Sequence, residues 1–240
     1  MPRISLIGSA MLLCTALGLA DFASAGGQYM PGQMPGGGGG RPQMGGPPDE
    51  SAPSTPAVDK PDVAARKALK AAMKSLDKAK EYEAAAAAAS NPDKKAKEME
   101  KVGDAYNRAL DQFTEALASK GDMVEAWDNV GYVHLRLGAF RESLDDYNHA
   151  LALKPDLMNA VEHRAEANLA LDRLDDVKIA YMDLFNHSPE LAAQLMTSMQ
   201  KWLNDRQADA RGMRAADIDS FGKWVAERDG IAKQTASLPH

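Results

Sequence analysis

Apolar residues recur every three or four positions through the chain after its first quarter, which is the spacing of one face of an α-helix. The first such stripe begins after Pro61, a residue suited to the first turn of a helix, and ends at Asn91. Proline disfavours helical geometry in the residue before it, so Pro92 separates the first stripe from a second one that begins at Pro92 itself. The second stripe ends at the turn formed by residues 120–121. The pattern therefore predicts a helical hairpin over residues 61–122.

The residue types of the second helix of this hairpin return further along the chain at a fixed interval of 34 positions. Four series share the interval, and Pro155 and Pro189 are separated by it as well. The series are Phe113, Tyr147 and Tyr181; Ala116, Ala150 and Leu184; Leu117, Leu151 and Phe185; and Tyr106, Phe140 and Leu174. Several matched series at one period indicate a repeated unit, and one pair of helices cannot cover its own apolar face, so the units must stack.

One unit carries a recognisable signature between residues 124 and 157. Its positions are Trp127, Val130, Gly131, His134, Gly138, Phe140, Ser143, Leu144, Tyr147, Ala150 and Pro155. This stretch resembles the tetratricopeptide repeat, a helix–turn–helix unit with a period of 34 residues. The positions that the following unit, residues 158–191, retains are Ala165, Leu169, Leu171, Leu174, Tyr181 and Pro189. It departs from the pattern at Val161 and Arg164, where the family has Trp and Leu.

The resemblance implies an all-α fold, a helix-pair solenoid of the tetratricopeptide type with a disordered N-terminal tail. Two repeats are expected over residues 123–190, and the hairpin at residues 61–122 matches the repeat only in its second helix. Residues 191–240 contain two further apolar stripes separated by a polar loop at about 205–213. We expect this last pair of helices to cap the open end of the stack.

Small residues in the first complete repeat predict a close approach of its two helices. Gly131 and Ser143 leave room for neighbouring backbones, and Tyr147 or Phe140 is expected to fill the space between successive pairs. Trp127 is interpreted as a core anchor, so its replacement by alanine would cost about 3–5 kcal/mol through the cavity it leaves.

The N-terminal segment has the features of a secretory signal peptide. Arg3 supplies a positive start, residues 4–19 are almost wholly apolar, and residues 23–25 form a small-residue cleavage site. We therefore expect residues 1–25 to be removed and the protein to be exported, either to the periplasm or out of the cell. Cys14, the only cysteine, lies in this segment, and a lipid-anchored alternative would need a small residue before it, where a leucine stands.

Glycine supplies 10 of the 21 residues from 26 to 46, and proline and small residues continue the segment toward the first helix. Such a composition cannot bury enough apolar area to offset the entropy lost on ordering, so residues 26–60 are predicted to be a disordered linker. Met30, Met34 and Met44 leave a second interpretation open, since thioethers on a flexible chain bind copper(I). The alternative function is thus copper handling through this tail.

Charge and hydropathy narrow the classes of partner. The formal net charge is -6, which argues against a broad phosphate-binding surface, so nucleic acid is not expected as a partner. No stretch after the signal segment has the roughly 20 apolar residues of a membrane-spanning helix. A protein or peptide partner is expected instead.

Candidate catalytic and metal-binding residues do not form a recognisable set. His163 has Glu166 one turn along the same helical face, but two ligands do not make a metal site, and we interpret both as part of a solvated polar face. The acidic pairs at 145–146 and 175–176 diverge by about 100° around a helix and are interpreted in the same way. His134 occupies an aromatic position of the repeat and is expected to pack there. Without a nucleophile, a base and a stabilising group held together, no enzyme activity and no cofactor are expected.

The resemblance also implies where a ligand would bind. In tetratricopeptide proteins the first helix of each pair lines a concave groove that holds a peptide segment. The matching positions here are Glu125, Asp128, Tyr132, Leu135, Arg136, Asn159, Glu162, Glu166, Leu169 and Ala170. Four of the ten are carboxylates and one is cationic, which favours a basic or polar ligand that also makes some apolar contact.

The expected function is therefore a non-enzymatic scaffold or adaptor for proteins of the bacterial cell envelope. Family members that bind chaperone tails use Lys and Asn to hold a terminal carboxylate. Asp128 and Tyr132 stand where such a clamp would begin, so acidic C-terminal tails are not expected to bind. The alternative for these positions is that their charge only keeps the surface soluble.

Overall fold

The computed structural model describes residues 60–236, so the signal peptide and all but the last residue of the linker, as predicted above, lie outside the described residues. The described residues form helices joined by short turns and contain no strand, which confirms the prediction of an all-α fold. The eight helices of this range are α1 (Lys60–Ala88), α2 (Pro92–Ser119), α3 (Val124–Arg136), α4 (Phe140–Leu153), α5 (Met158–Ala170), α6 (Leu174–His187), α7 (Pro189–Ala208) and α8 (Ala215–Ala236).

Successive helices pack against each other along the chain. In addition, α3 contacts α5 and α5 contacts α7, so the first helices of three consecutive pairs form a layer of their own. The side of α3 and α5 that carries Asp128, Tyr132, Glu162 and Glu166 is here named the first-helix face.

Helix boundaries follow local capping chemistry. The Asn91 side chain accepts hydrogen bonds of 2.8 and 3.2 Å from two backbone N–H groups in the first turn of α2, which Pro92 opens as the sequence predicts. Pro155 lies in the turn between α4 and α5, whereas Pro189 is already the first residue of α7. Relative to α5 shifted by 34 positions, α7 starts three residues earlier and ends four residues later, so it has 20 residues where α5 has 13.

The aromatic positions of the 34-residue series lie in the core. Phe113, Tyr147 and Tyr181 are all buried. One apolar cluster joins α1, α2 and α3, and a second extends from Tyr147 in α4 to Val225 in α8. Each cluster draws on more than one pair of helices, as expected for pairs that cannot cover their own apolar faces.

Gly131 marks a very close contact within the pair formed by α3 and α4. A Cβ atom at this position would lie 2.9 Å from Cε1 of the Tyr147 ring, so a larger residue does not fit unless the ring moves. Ser143 Oγ donates a hydrogen bond of 2.9 Å to the carbonyl oxygen of Gly131, which satisfies the buried hydroxyl. The predicted close approach at these small residues is confirmed.

The turn after α3 and the turn after α5 each contain a residue in the left-handed region. Gly138 has a φ of 76°, and Asp172, which lies 34 positions later, has a φ of 59°. Such a φ strains a residue with a side chain, although aspartate tolerates it better than most. The Asp172 carboxylate accepts hydrogen bonds from Trp202 Nε1 at 3.1 Å and from Arg206 Nη2 at 2.6 Å, which tie this turn to α7.

Trp127 is not a core residue, contrary to the interpretation drawn from the sequence. Its side chain is only half-buried and stacks on the His149 ring, with centroids 4.4 Å apart. Its Nε1 donates a hydrogen bond of 2.8 Å to the carbonyl oxygen of Gly121, so the indole covers the turn between α2 and α3. Trp202 of α7 is the fully buried tryptophan of the described residues.

Alanine substitution should distinguish these two tryptophans. Trp202→Ala leaves a cavity in the core and should lower the free energy of unfolding by about 3–5 kcal/mol. Trp127→Ala loses a stacking contact and one hydrogen bond at a half-exposed site, and should lower it by about 1–2 kcal/mol. Urea unfolding followed by circular dichroism measures both values, and an equal loss for the two variants would contradict the placement of Trp127.

Gly131→Ala should destabilise the protein, although alanine is the better helix former by about 1 kcal/mol. The added Cβ displaces the Tyr147 ring, and overpacking of this kind costs about 1–3 kcal/mol. Gly222→Ala is the matched control, because the nearest atom to its Cβ would be 3.6 Å away and the substitution should be neutral or stabilising. If Gly131→Ala were more stable to unfolding than Gly222→Ala, the contact between residue 131 and the Tyr147 ring would not be tight.

Candidate functional site

Tyr147 brings together predicted groove residues from two helices. Its ring lies against the backbone of α3 and stacks on His163 of α5, with ring centroids 5.9 Å apart. Its hydroxyl lies within electrostatic reach of the carboxyl groups of Asp128, Glu162 and Glu166. These three carboxyl groups and the Tyr147 hydroxyl are here named the acidic cluster.

Aromatic rings stand beside the acidic cluster. The ring centroids of Tyr132 and His163 are 5.5 Å apart, and the Lys80 ammonium lies 5.2 Å from the centroid of the Tyr132 ring. His163 keeps 29% of its side chain exposed, so this edge of the cluster is open to solvent. The site therefore combines carboxyl groups with rings that attract apolar stems and cations.

Four polar atoms of the site are buried without a hydrogen-bond partner among the described residues. They are Asp128 Oδ1, Tyr147 Oη, Glu162 Oε1 and His163 Nδ1. Glu162 is the most enclosed carboxyl group of the cluster, with 3% of its side chain exposed, and its other oxygen lies 3.6 Å from His163 Nε2. Buried polar groups are normally paired, so several unpaired atoms in one place mark this site as unusual.

Burial raises the pKa values of the three carboxyl groups. Burial, followed by the negative charge of Glu125, raises the pKa of Asp128 to about 6. Burial raises the pKa of Glu166 to about 7, although a hydrogen bond of 2.8 Å from Ser198 Oγ acts against it. Burial, followed by the charge of Glu166, raises the pKa of Glu162 well above its ordinary value.

His163 does not neutralise these charges. Burial, together with the positive charges of Lys80 and Arg136, lowers the pKa of its imidazole to about 4. The ring is therefore neutral at pH 7 and supplies no positive charge to the adjacent Glu162.

Arg136, the cation among the predicted groove residues, is engaged within the protein. Its Nη2 donates a hydrogen bond of 2.6 Å to Glu83 Oε1, and its Nε donates one of 3.1 Å to the same oxygen. Both side chains are largely buried, and removing one partner of a buried pair leaves an uncompensated charge. The pair therefore holds α1 against α3.

The remaining predicted groove positions differ in exposure. Glu125 and Asn159 are exposed, and Ala170 is half-buried. Leu135 and Leu169 are almost fully buried in the apolar core, where they offer no surface to a ligand. We therefore leave these two leucines out of the proposed site.

Two carboxylic residues, Glu166 and Asp146, are less exposed than their sequence pattern suggests. Glu166 is buried beneath Ser198 of α7 instead of lying on a solvated face with His163. Asp146 is also buried, and its carboxylate is hydrogen-bonded to His134 Nδ1, so this histidine has a polar role beside its packing. No local signal could reveal the burial of Glu166, because the residue that covers it comes 32 positions later.

A separate groove of about 570 Å³ lies among α4, α5 and α6, on the side of α5 turned away from the acidic cluster. Its lining includes Arg164 and Arg173 as well as Asp176 and Asp183. Ile179, which is 69% exposed, adds an apolar wall. Charges of both signs balance in this groove, so it does not select the charge of a ligand as the acidic cluster does.

The described residues show neither a metal-binding cluster nor a membrane-spanning helix. Within residues 60–236, no three histidine, cysteine, aspartate or glutamate side chains converge as they would around a metal ion. In the same part of the chain, no helix combines the length and the apolar character needed to cross a membrane. Met30, Met34 and Met44, on which the copper alternative depends, lie outside the described residues.

No protein-family model, curated protein or solved structure matches the chain.

Stability should depend on pH through Glu166. Its pKa in the folded protein is raised from the ordinary 4.5, so the stability that it contributes is fully present below about pH 4.5 and is lost as the pH rises through about 7. Glu166→Gln removes this loss and keeps an acceptor for Ser198. The free energy of unfolding of the variant should exceed that of the unsubstituted protein by about 2–3 kcal/mol at pH 8, and by little at pH 4.

Urea unfolding at about pH 4, 6 and 8 measures this difference. The lowered pKa of His163 acts in the opposite direction, between about pH 6.5 and 4, but it is common to both proteins and cancels in the comparison. Glu142→Gln, at an exposed position of α4, is the matched control and should show no such trend. A difference that stays constant across the pH range would contradict the buried environment of Glu166.

Proposed function

We propose that this chain is a non-enzymatic scaffold or adaptor that binds a segment of another polypeptide on the first-helix face, in the envelope of a bacterial cell. In this proposal the helix pairs form a stack of the tetratricopeptide type, with α7 and α8 as its cap. The observation that carries it is the acidic cluster, in which Asp128 and Glu162 each keep a buried oxygen that no described protein group bonds. The envelope location rests on the sequence of residues 1–25 alone.

A basic or polar ligand suits this distribution of charge. Buried carboxylates are destabilising when they are ionised, and an incoming cationic or hydrogen-bonding group relieves that penalty. The rings of Tyr132 and His163 supply apolar contact at the open edge of the cluster. An acidic C-terminal tail would meet like charge here, so we continue to expect that such tails do not bind.

The test compares two sets of substitutions in a pull-down from an envelope extract. The first-helix variant replaces four carboxylic acids by their amides, which keep the shape of the buried side chains. Its substitutions are Glu125→Gln, Asp128→Asn, Glu162→Gln and Glu166→Gln. The control variant makes the same number of acid-to-amide substitutions at exposed positions of α4 and α6: Glu142→Gln, Asp145→Asn, Asp175→Asn and Asp176→Asn.

Partners captured by the unsubstituted protein should remain bound to the control variant. The first-helix variant should lose them by at least about tenfold, and capture should weaken as salt is added, because the attraction is electrostatic. Circular dichroism establishes that the three proteins are equally folded. If the first-helix variant captures the same partners as the unsubstituted protein, the proposal is contradicted.

A further inference from the structure

We propose that the groove among α4, α5 and α6 is a second binding site, which holds an uncharged polypeptide segment by one of its peptide groups and an aliphatic side chain. The site goes beyond the proposed function, because it lies on the side of α5 turned away from the first-helix face. Its volume of about 570 Å³ falls within the range of about 300–1,000 Å³ that is typical of ligand pockets.

Smaller side chains than those of the preceding helix pair leave room for the groove. Three of its lining residues lie 34 positions after larger ones: Val161 after Trp127, Asn168 after His134 and Ala180 after Asp146. In the preceding pair the Trp127 ring stacks on a histidine of α4, and His134 is hydrogen-bonded to Asp146 across the two helices. The side chain of valine cannot stack and that of alanine cannot accept a hydrogen bond, so neither bridge forms between α5 and α6.

The side-chain amide of Asn168 faces the groove without a partner. The residue keeps only 7% of its surface exposed, and its amide forms no hydrogen bond with the described residues. Neither the oxygen nor the nitrogen of this amide is completely enclosed, so a ligand in the groove can reach both atoms. A largely buried polar group without a partner is unfavourable, and a ligand that bonds it removes that cost.

A peptide group matches the Asn168 amide better than a charged group does. The amide offers a hydrogen-bond acceptor and a donor side by side, and the N–H and C=O of a peptide group complement the two. A carboxylate has only acceptors and an ammonium group has only donors, so either one would leave half of the amide unpaired. The chemistry of this buried group therefore favours recognition of polypeptide backbone.

Aliphatic side chains of the groove provide the apolar part of the site. Leu144, Val161 and Ala180 are buried and line it, one from each of the three helices. Ile179 stands at its side with 69% of its surface exposed, more than any other large hydrophobic residue of residues 60–236. An aliphatic side chain of a ligand would remove part of this surface from water, which favours binding.

The charged residues of the groove do not favour either sign in a ligand. Arg164 already donates a hydrogen bond of 3.0 Å to Asn148 Oδ1, and the Asp183 carboxylate lies 2.9 Å from a histidine ring nitrogen. Arg173 and Asp176 are exposed, have opposite charges and lack a partner among the described residues. An uncharged ligand loses nothing in such a setting, whereas a charged one would meet repulsion as well as attraction.

The experiment uses N-acetyl-leucine amide, a probe with two peptide groups, an aliphatic side chain and no charge. It is titrated into the isotope-labelled protein, and NMR signals of backbone and side-chain amides are followed. The shifts should be confined to α4, α5 and α6 and should include the side-chain amide of Asn168. A probe of this size should have a dissociation constant in the millimolar range.

Two related probes test the chemistry of the ligand. N-acetyl-glycine amide keeps the peptide groups and lacks the aliphatic side chain, so it should bind at least about tenfold more weakly. N-acetyl-glutamate amide adds a negative charge that the aspartates of the groove repel, and it should bind at least about threefold more weakly.

Two variants test the role of Asn168. Asn168→Leu replaces the amide by an aliphatic group of similar size and removes no hydrogen bond of the fold, so the protein should remain folded. Ala180→Asp restores the acidic residue of the equivalent position in α4 and gives the amide an acceptor within the protein. Each should weaken the leucine probe at least about fivefold. Met182→Ala, at an exposed position of α6 outside the groove, is the control and should leave the affinity unchanged.

The outcomes distinguish this site from the proposed function. The first-helix variant should bind the leucine probe as the unsubstituted protein does, since its substitutions lie on the other side of α5. Absence of shifts well above millimolar concentrations, stronger binding of the glutamate probe, or full affinity in Asn168→Leu would each overturn the inference and leave the proposed function standing. If the groove signals shift with protein concentration alone, a second copy of the chain occupies the groove and the inference is wrong.

Discussion

The contact between Gly131 and the Tyr147 ring determines the geometry on which the acidic cluster depends. Because the glycine has no Cβ, the backbone of α3 approaches the ring closely, and Tyr147 extends past it to His163 of α5. Its hydroxyl then lies within electrostatic reach of carboxyl groups from two different helices. A core contact and a polar site are therefore one structural feature, and a change that moves the ring disturbs both.

Buried carboxyl groups such as Glu162 and Glu166, which also repel each other, are unfavourable when they are ionised, and two responses relieve that penalty. The groups either bind protons or bind a cation. The raised pKa values of Asp128 and Glu166 describe the first response in the free protein. Both responses would use the same carboxyl groups, so a cationic ligand of the kind proposed would compete with the protons that the free protein holds.

The helix pairs could be predicted from the sequence, but the burial of the residues at the site could not. The 34-residue series marks positions such as Phe113 and Tyr181 that must be buried in any stack of helix pairs, and this holds in the structure. Exposure is harder to predict, because it depends on helices that are distant along the chain. Trp127 is half-exposed although its type suggests the core, and Glu166 is buried although its type suggests solvent.

The pair formed by α5 and α6 differs from the pair formed by α3 and α4 where it meets α7. Asp172 lies 34 positions after Gly138 in the equivalent turn, and its carboxylate accepts hydrogen bonds from Trp202 and Arg206 of α7, so a residue that strains the turn also anchors the next helix. On the same helix, Ser198 donates a hydrogen bond to Glu166 and covers it. Because α7 packs against α5 and its Ser198 covers Glu166, the properties of the site depend on α7 as much as on the helices that carry the cluster.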